Sequence, residues 1–249
     1  MRPVFNYKVT MWLLSNKVKV EDSGLLEGFR DCHCHLLPGV DDGVKELHET
    51  LKILERWQSL GVKEVWLTPH IMEDIPNKTL ELKKRCEELK IVAPKGITLR
   101  LAAENMMDNL FLKRLDERDL IPLGDDRKHL LVETSYYNPP MDMHRFFERI
   151  KECGYTPVLA HPERYQYMDM GNYKMWKEKG VLLQLNVPSL VGAYGPEVQY
   201  KAEKLLNKEM YDYCGTDTHS MRFVEYFLGS KISKNIVSKV QQIVAYEDL

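Results

Sequence analysis

The chain has 249 residues, 44% hydrophobic and 29% charged, the composition of an ordinary globular protein long enough for one large domain with a substantial core. A formal net charge of −2 offers no general attraction to polyanions and so no support for nucleic-acid or anionic-membrane binding. No apolar run approaches the roughly 18 residues of a membrane helix, and Met11-Trp12-Leu13-Leu14 is too short for a signal-peptide core, so a cytoplasmic protein without stable membrane insertion is expected.

In chain order, Phe29–His35 reads as a first strand and Val44–Leu60 as a helix with apolar positions at Leu47, Leu51, Leu54 and Leu60. Glu64–Thr68 is the next strand, and Lys78–Lys90 a charged helix behind the cap signal of Asn77. Ile97–Ala103 alternates apolar and polar residues, and Asn109–Leu120 is helical. His129–Thr134 is a strand, Met141–Cys153 a helix, Thr156–Ala160 a strand and Tyr173–Lys179 a helix. Val181–Val187, the helix Pro196–Lys208, the strand Met210–Gly215 and the helix Ser233–Ala245 complete the pattern. Strands that alternate with helices in this way predict an α/β fold with a parallel sheet or barrel under a helical cover.

The chemistry-bearing residues fall at repeated places on this map. In Asp31-Cys32-His33-Cys34-His35 the two histidines are spaced i, i+2, so on a strand their imidazoles point the same way. Asp42 follows in the next loop. His70 follows the second strand, Glu104 ends the third, Glu133 the fourth and His161 the fifth, and Asp217 with His219 follows the seventh. In a closed β/α barrel all these strand ends meet on one face, where active sites are built. An isolated histidine at a strand end is ordinarily a satisfied polar residue, but a whole set placed alike points to metal. Imidazoles with carboxylates and no thiolates suit Mn, Fe or Zn. At three or four protein ligands per ion the set is enough for two or three divalent metals, with Glu104 or Glu133 as a natural bridge. Cys32 and Cys34 alternate with the histidines, face the other way and read as buried structural thiols.

Phe29 to Gly43, with the blocks Leu67–His70, Val132-Glu133, Val158–Tyr165 and Gly215–His219, resembles the motif series of the PHP (polymerase and histidinol phosphatase) superfamily. More closely it is similar to the manganese-dependent protein-tyrosine phosphatases of bacterial capsule and exopolysaccharide operons. The resemblance runs from about Leu25 to the C-terminal helix. It implies a distorted seven-stranded TIM-like β/α barrel, the PHP fold, over residues 25–249, with residues 1–24 as an N-terminal extension. Met11-Trp12-Leu13 resembles the start of relatives, which implies that residues 1–10 arise from an upstream start codon.

By the same resemblance His33, His35, Glu104 and Asp217 would hold a first metal, Glu104, Glu133 and His161 a second, and Asp42, His70 and His219 a third. Arg164 and Arg222 match the positions of phosphate-binding arginines. The implied activity is hydrolysis of protein phosphotyrosine by metal-activated hydroxide, with manganese as cofactor and an exopolysaccharide-assembly tyrosine kinase as partner. Asn105-Met106-Met107 stands where relatives often carry an aromatic residue, which leaves the ligands intact and alters the substrate pocket.

Phosphoester hydrolysis also follows from the residues alone. Clustered divalent ions neutralise phosphate oxygens and lower the pKa of a bound water, and arginines offer planar multi-donor contacts to phosphate. A tyrosine leaving group has a pKa near 10 and needs only modest help to depart. The residues six after Cys32, Cys34, Cys86, Cys153 and Cys214 are Pro38, Val40, Val92, Leu159 and Ser220, so no cysteine-nucleophile phosphatase motif is present. His48, His129 and His144 read as structural or surface residues. Tyr136-Tyr137-Asn138-Pro139-Pro140, just past Glu133, is read as loop packing or as a stack for an aryl ring. Alternatives to the tyrosine phosphatase are a small-molecule phosphatase of the histidinol-phosphate type and a metal-retaining binding module without catalysis; the oligomeric state is left open.

Overall fold

A computed structural model describes residues 17–246. The strands are β1 (Lys17–Lys19), β2 (Arg30–Cys34), β3 (Glu64–Leu67), β4 (His70–Ile71), β5 (Thr98–Leu101), β6 (Glu104–Met106), β7 (His129–Glu133), β8 (Thr156–Ala160), β9 (Leu182–Asn186), β10 (Tyr213–Gly215) and β11 (Lys231–Ser233). Between them lie the helices α1 (Leu47–Ser59), α2 (Thr79–Val92), α3 (Asn109–Glu117), α4 (Met143–Glu152), α5 (Met170–Glu178), α6 (Pro196–Asn207), α7 (Met221–Gly229) and α8 (Lys234–Tyr246).

The predicted alternation of strand and helix yields a mixed α/β fold with a curled, half-barrel parallel sheet. Its ladder is cut in two: a six-stranded sheet in the order β10-β9-β8-β7-β6-β4 and a three-stranded sheet in the order β2-β3-β5. The cut falls within two stretches expected as single strands or strand ends. Thr68-Pro69 separates β3 from β4, because proline has no N–H to give a ladder. Ala102-Ala103 separates β5 from β6, and Ala102 N still donates to Leu67 O while Glu104 N donates to Pro69 O. Across the other flank β2 meets the end of β10: Asp217 N donates to His33 O at 2.7 Å and His35 N to Thr218 O at 2.9 Å.

Strands covered on both faces are apolar throughout, as Leu130-Leu131-Val132 and Val158-Leu159-Ala160 are, all fully buried. Cys32, Trp66, Ala102, Leu131, Val158 and Ala160 pack together as one cluster, and a larger one lies between strands and helices. Asp169 starts α5 three residues earlier than expected through a capping box with Asn172.

Two features were not anticipated. β1 pairs antiparallel with β11, Val18 opposite Ile232, and Val20 enters the core. The helix α7, capped by Ser220, lies in a stretch to which the sequence pattern assigned no element. The Met11-Trp12-Leu13 reading lies outside the described residues, among which no helix is long and apolar enough to cross a membrane.

Candidate metal centre

Because the strands are parallel, their C-terminal ends share one face, and the sequence places a polar side chain at nearly every one. His33 and His35 leave β2 together, with Nε2 atoms 3.2 Å apart. Glu104 opens β6, pairs in register with His70 of β4, and reaches the centre of the group. Its Oε2 lies 3.2 Å from His33 Nε2, 3.3 Å from His35 Nε2 and 3.1 Å from His70 Nδ1. Its Oε1 lies 2.9 Å from His161 Nε2. Glu133 Oε1 is 3.0 Å from His70 Nδ1. Asp217 Oδ1 is 3.3 Å from His35 Nε2 and 3.5 Å from His219 Nδ1. Asp42 sits on the rim, mostly exposed, with Oδ1 3.4 Å from His70 Nε2 and 3.5 Å from His219 Nε2.

Every expected ligand is therefore in one cup, and the donor atoms group in more than one way. The donor atoms converge as His35, Asp42, His70 and His219; as His33, His35 and Asp217; as His33, Glu104 and His161; and as His70, Glu104 and Glu133. His70 joins the Glu104–Glu133 pair, and His161 Nε2 lies 2.9 Å from Glu104 Oε1 and 3.8 Å from Glu133 Oε2. Spacings of about 3 Å let one side chain serve two groups.

The donor set fits divalent cations. Glu104 Oε2, Glu133 Oε1 and His70 Nδ1 are buried without a hydrogen-bond partner, and each carboxylate oxygen lies within 3.1 Å of His70 Nδ1. Burial, and the neighbouring His35, push the His70 pKa down, yet Glu104, Asp42 and Glu133 outweigh both and carry it up to about 10. Burial also opposes charge on Asp217 and Glu104, but the surrounding histidines, and Arg164 for Asp217, hold both carboxyls well below the ordinary range. Ionised carboxylates that keep protons on imidazoles at neutral pH mark a site with a strong demand for positive charge, which hard and borderline metal ions supply.

Behind the donors stands a layer that sequence reading missed. Asp41 Oδ2 accepts from His35 Nδ1 at 2.8 Å and from His70 N at 3.0 Å, leaving Nε2 of His35 free to face the cup. Gln184 Oε1 pairs with His33 Nδ1 at 2.9 Å and accepts from His161 N at 3.1 Å. Asp31 accepts from Thr216 N and Oγ1 and so fixes the turn that delivers Asp217. Glu163, fully buried with its pKa raised by burial, accepts from Ser189 Oγ at 2.8 Å, Asn186 N at 3.0 Å and Tyr211 OH at 3.0 Å. A signal existed for Gln184, the one amide in the apolar run Val181–Leu185, since a polar side chain there must find a partner.

The backbone is shaped to the same end. His161 and Asp217 both adopt positive φ, 32° and 50°, which costs roughly 1–3 kcal/mol each and persists where surroundings impose it. A Cβ on Gly215 would come within 2.6 Å of His33 Cβ, so β10 reaches β2 only with glycine there.

Of the two arginines, Arg164 enters the cup: Nη1 donates to Asp217 Oδ2 at 2.6 Å. Arg222 is exposed on the first turn of α7, and no ion pair or hydrogen bond joins its side chain to another described residue. Cys32 and Cys34 are buried thiols outside any disulfide, Cys34 donates to Trp66 O, and burial raises the Cys34 pKa well above the ordinary value. His129 lies at the opposite end of its strand, against Tyr213, and His144 packs near Trp176.

Residues 29–226 match the family model described as capsular polysaccharide synthesis, CpsB/CapC. The chain is 26% identical over 201 residues to the putative tyrosine-protein phosphatase CapC of Staphylococcus aureus, covering 77% of both chains. It is 28% identical over 214 residues to the tyrosine-protein phosphatase CpsB of Streptococcus agalactiae, covering 77% of this chain and 83% of that one. A solved structure described among YwqE of Bacillus subtilis and CpsB of Streptococcus pneumoniae, unique metal-dependent tyrosine phosphatases, shares the fold with a TM-score of 0.72 at 21% identity, over 88% of this chain and 95% of that one.

Proposed function

We propose, for a chain that belongs to the CpsB/CapC capsular polysaccharide synthesis family, that it is a metal-dependent phosphomonoesterase acting on phosphotyrosine in proteins. The observation that carries this reading is the convergence of imidazoles, ionised carboxylates and one guanidinium in a single cup at the strand ends. The relatives named as tyrosine-protein phosphatases supply the substrate class.

His33, His35, Asp42, His70, Glu104, Glu133, His161, Asp217 and His219 are the residues to hold two or three divalent ions, manganese first, with iron or zinc also acceptable to such donors. Bound there, the ions would neutralise phosphate oxygens and lower the pKa of water toward neutrality. The chain's own residues do the positioning. Asp41 and Gln184 fix the ring orientations of His35 and His33. Arg164 offers its guanidinium edge to a phosphate oxygen, a contact of charge-assisted strength and planar geometry. Arg222, exposed on the first turn of α7, would have to reach into the cup to add a second such contact. The tyrosinate leaving group asks little of a general acid.

The seven-stranded barrel is our reading of the two ladders taken together, with β3–β4 and β5–β6 each counted as one interrupted strand and β10 closing on β2. A cytoplasmic location and an exopolysaccharide-assembly tyrosine kinase as the phosphorylated partner belong to the same proposal.

The test is turnover of a phosphotyrosine peptide against histidinol phosphate, first after chelation and then with Mn²⁺ restored. Metal-dependent preference for the peptide is expected. Preference for histidinol phosphate at comparable concentration would replace the assignment with a small-molecule phosphatase, and negligible rates with both would leave a binding module.

A further inference from the structure

The side chain of Arg164 is held in an unusual way. Its guanidinium lies 4.3 Å from the ring centroid of Tyr136 and 4.3 Å from that of Tyr194. The three residues follow β7, β8 and β9, three strands adjacent in one sheet, so neighbouring loops bring an arginine between two aromatic rings. Two tyrosine rings at that distance occupy the π surface of the guanidinium and leave its edge for hydrogen bonding.

The edge is shared out. Nη1 donates to Asp217 Oδ2, and Asn186 Nδ2 donates to that same oxygen at 3.1 Å. Asn186 Nδ2 also donates to the Tyr194 hydroxyl at 3.1 Å, which ties one ring of the sandwich to the carboxylate that the arginine grips. Asp217 is thereby divided: Oδ2 is taken by Arg164 and Asn186, and Oδ1 faces His33, His35 and His219. The second ring is fixed through its backbone, with Gln166 N donating to Tyr136 O at 2.8 Å, and lies near His161. Among the described residues Asp217 is the one hydrogen-bond partner of the guanidinium, whose remaining N–H groups are still to be used.

We infer that Tyr136 and Tyr194 are positioning residues that clamp Arg164, so that it meets the phosphate of the substrate with its donor edge already aimed. This deepens the phosphatase reading and rests on it. A free arginine loses much side-chain freedom on capturing an oxyanion, and a guanidinium already held between two rings has lost it beforehand. Lysine at 164 would lack the planar surface that the rings grip. The clamp acts on phosphate binding through Arg164 and leaves metal loading alone.

The experiment uses the full chain loaded with Mn²⁺ and inorganic phosphate as probe. Phosphate affinity is measured by calorimetry and by competitive inhibition of p-nitrophenyl phosphate turnover, for Tyr136→Leu, Tyr194→Leu, both Phe variants, and each Leu change made again in Arg164→Ala. Loss of one ring face is expected to weaken phosphate binding about threefold to tenfold, seen as a rise in KM more than a fall in kcat. The Phe variants, which keep the faces, should stay within about twofold of the parent chain, and in the Arg164→Ala background the Leu changes should cost less than about twofold.

Unchanged phosphate affinity in both Leu variants overturns the clamp. So does an equal loss in the Phe variants, or full Leu effects without Arg164. A loss of bound Mn²⁺ in the Leu variants would place the tyrosines in the metal site instead, also against the inference. If the parent chain binds phosphate but hydrolyses no aryl phosphate, the phosphatase reading fails while the calorimetric comparison still judges the clamp.

Discussion

Replacing Asp41 by Asn asks how much of the centre's affinity resides in residues that touch no ion. The Asp41 carboxylate is acceptor-only and buried, and each of its oxygens is used: Oδ2 takes His35 Nδ1 at 2.8 Å and His70 N at 3.0 Å, and Oδ1 takes Gly43 N at 3.0 Å. Asparagine has one acceptor. Set at the Oδ2 position, its oxygen keeps the two histidine contacts and turns an NH₂ against Gly43 N–H. Set the other way, the NH₂ forces His35 to carry its proton on Nε2, the nitrogen that should face the ion. The first arrangement is cheaper and still loses a charge-assisted bond at a buried donor, about 1–3 kcal/mol of stability. Removing such an orienting partner costs metal affinity roughly 10–100-fold, or about 1.4–2.7 kcal/mol. One effect opposes this. Against the push of burial, Asp217, Asp41 and Glu104 hold the His35 pKa well up. Without the Asp41 carboxylate that proton is held less tightly, which eases proton competition for the ligand nitrogen in acid. The assay is competition for Mn²⁺ with a fluorescent chelator across a range of pH, since the easing of proton competition fades as pH rises and the orienting loss does not. A variant within twofold of the parent chain in affinity, with an unchanged Tm, would refute the orienting role.

Three further outcomes are expected. Chelation should abolish phosphatase activity reversibly and lower Tm, and Mn²⁺ at 100 times its Kd should restore about 2.7 kcal/mol of stability in calorimetry. Gly215→Ala should lower Tm by several degrees and weaken Mn²⁺ binding, because its Cβ would press within 2.6 Å of His33 Cβ, an overpacking of about 1–3 kcal/mol; an unshifted Tm would show that β2 and β10 can part at no cost. Iodoacetamide should leave the native activity intact, since Cys32, Cys34, Cys86 and Cys214 are buried and none lies among the donors; rapid inactivation would point to a thiol in the chemistry.

The donors were legible in the sequence for a definite reason. A parallel β/α unit ends each strand on the same face, so a polar residue at the end of an apolar strand announces its own position. His33, His35, Glu133 and His161 could be placed with no knowledge of pairing. What could not be read was whatever depends on contacts across long sequence separation. The orienting pair of Asp41 with His35 hides beside Asp42, and sequence offers no way to say which aspartate faces the cup and which stands behind the ring. The pairing of β1 with β11 joins three-residue strands more than 200 positions apart, with no local pattern to betray it. Pro69 was visible, yet that it would divide one strand into two partnerships depended on where the neighbouring strand was free. Arg164 and Arg222 looked alike as motif positions; folding put one between two tyrosine rings and the other in solvent.

The meeting of β2 with the turn after β10 carries a consequence for how the protein is made. His33 and Asp217 stand at opposite ends of the chain's synthesis, and the backbone bonds that seat Asp217 are given to the carbonyl of His33. A nascent chain can therefore expose its first histidines for most of translation while lacking the carboxylate that completes their set. On the proposed ligand set, capture of an ion by all the donors would wait until the last parallel strand has left the ribosome and docked. With the ligand set proposed above, metal acquisition would fall at the end of folding, and an unfinished chain would be a poor competitor for the cell's ions.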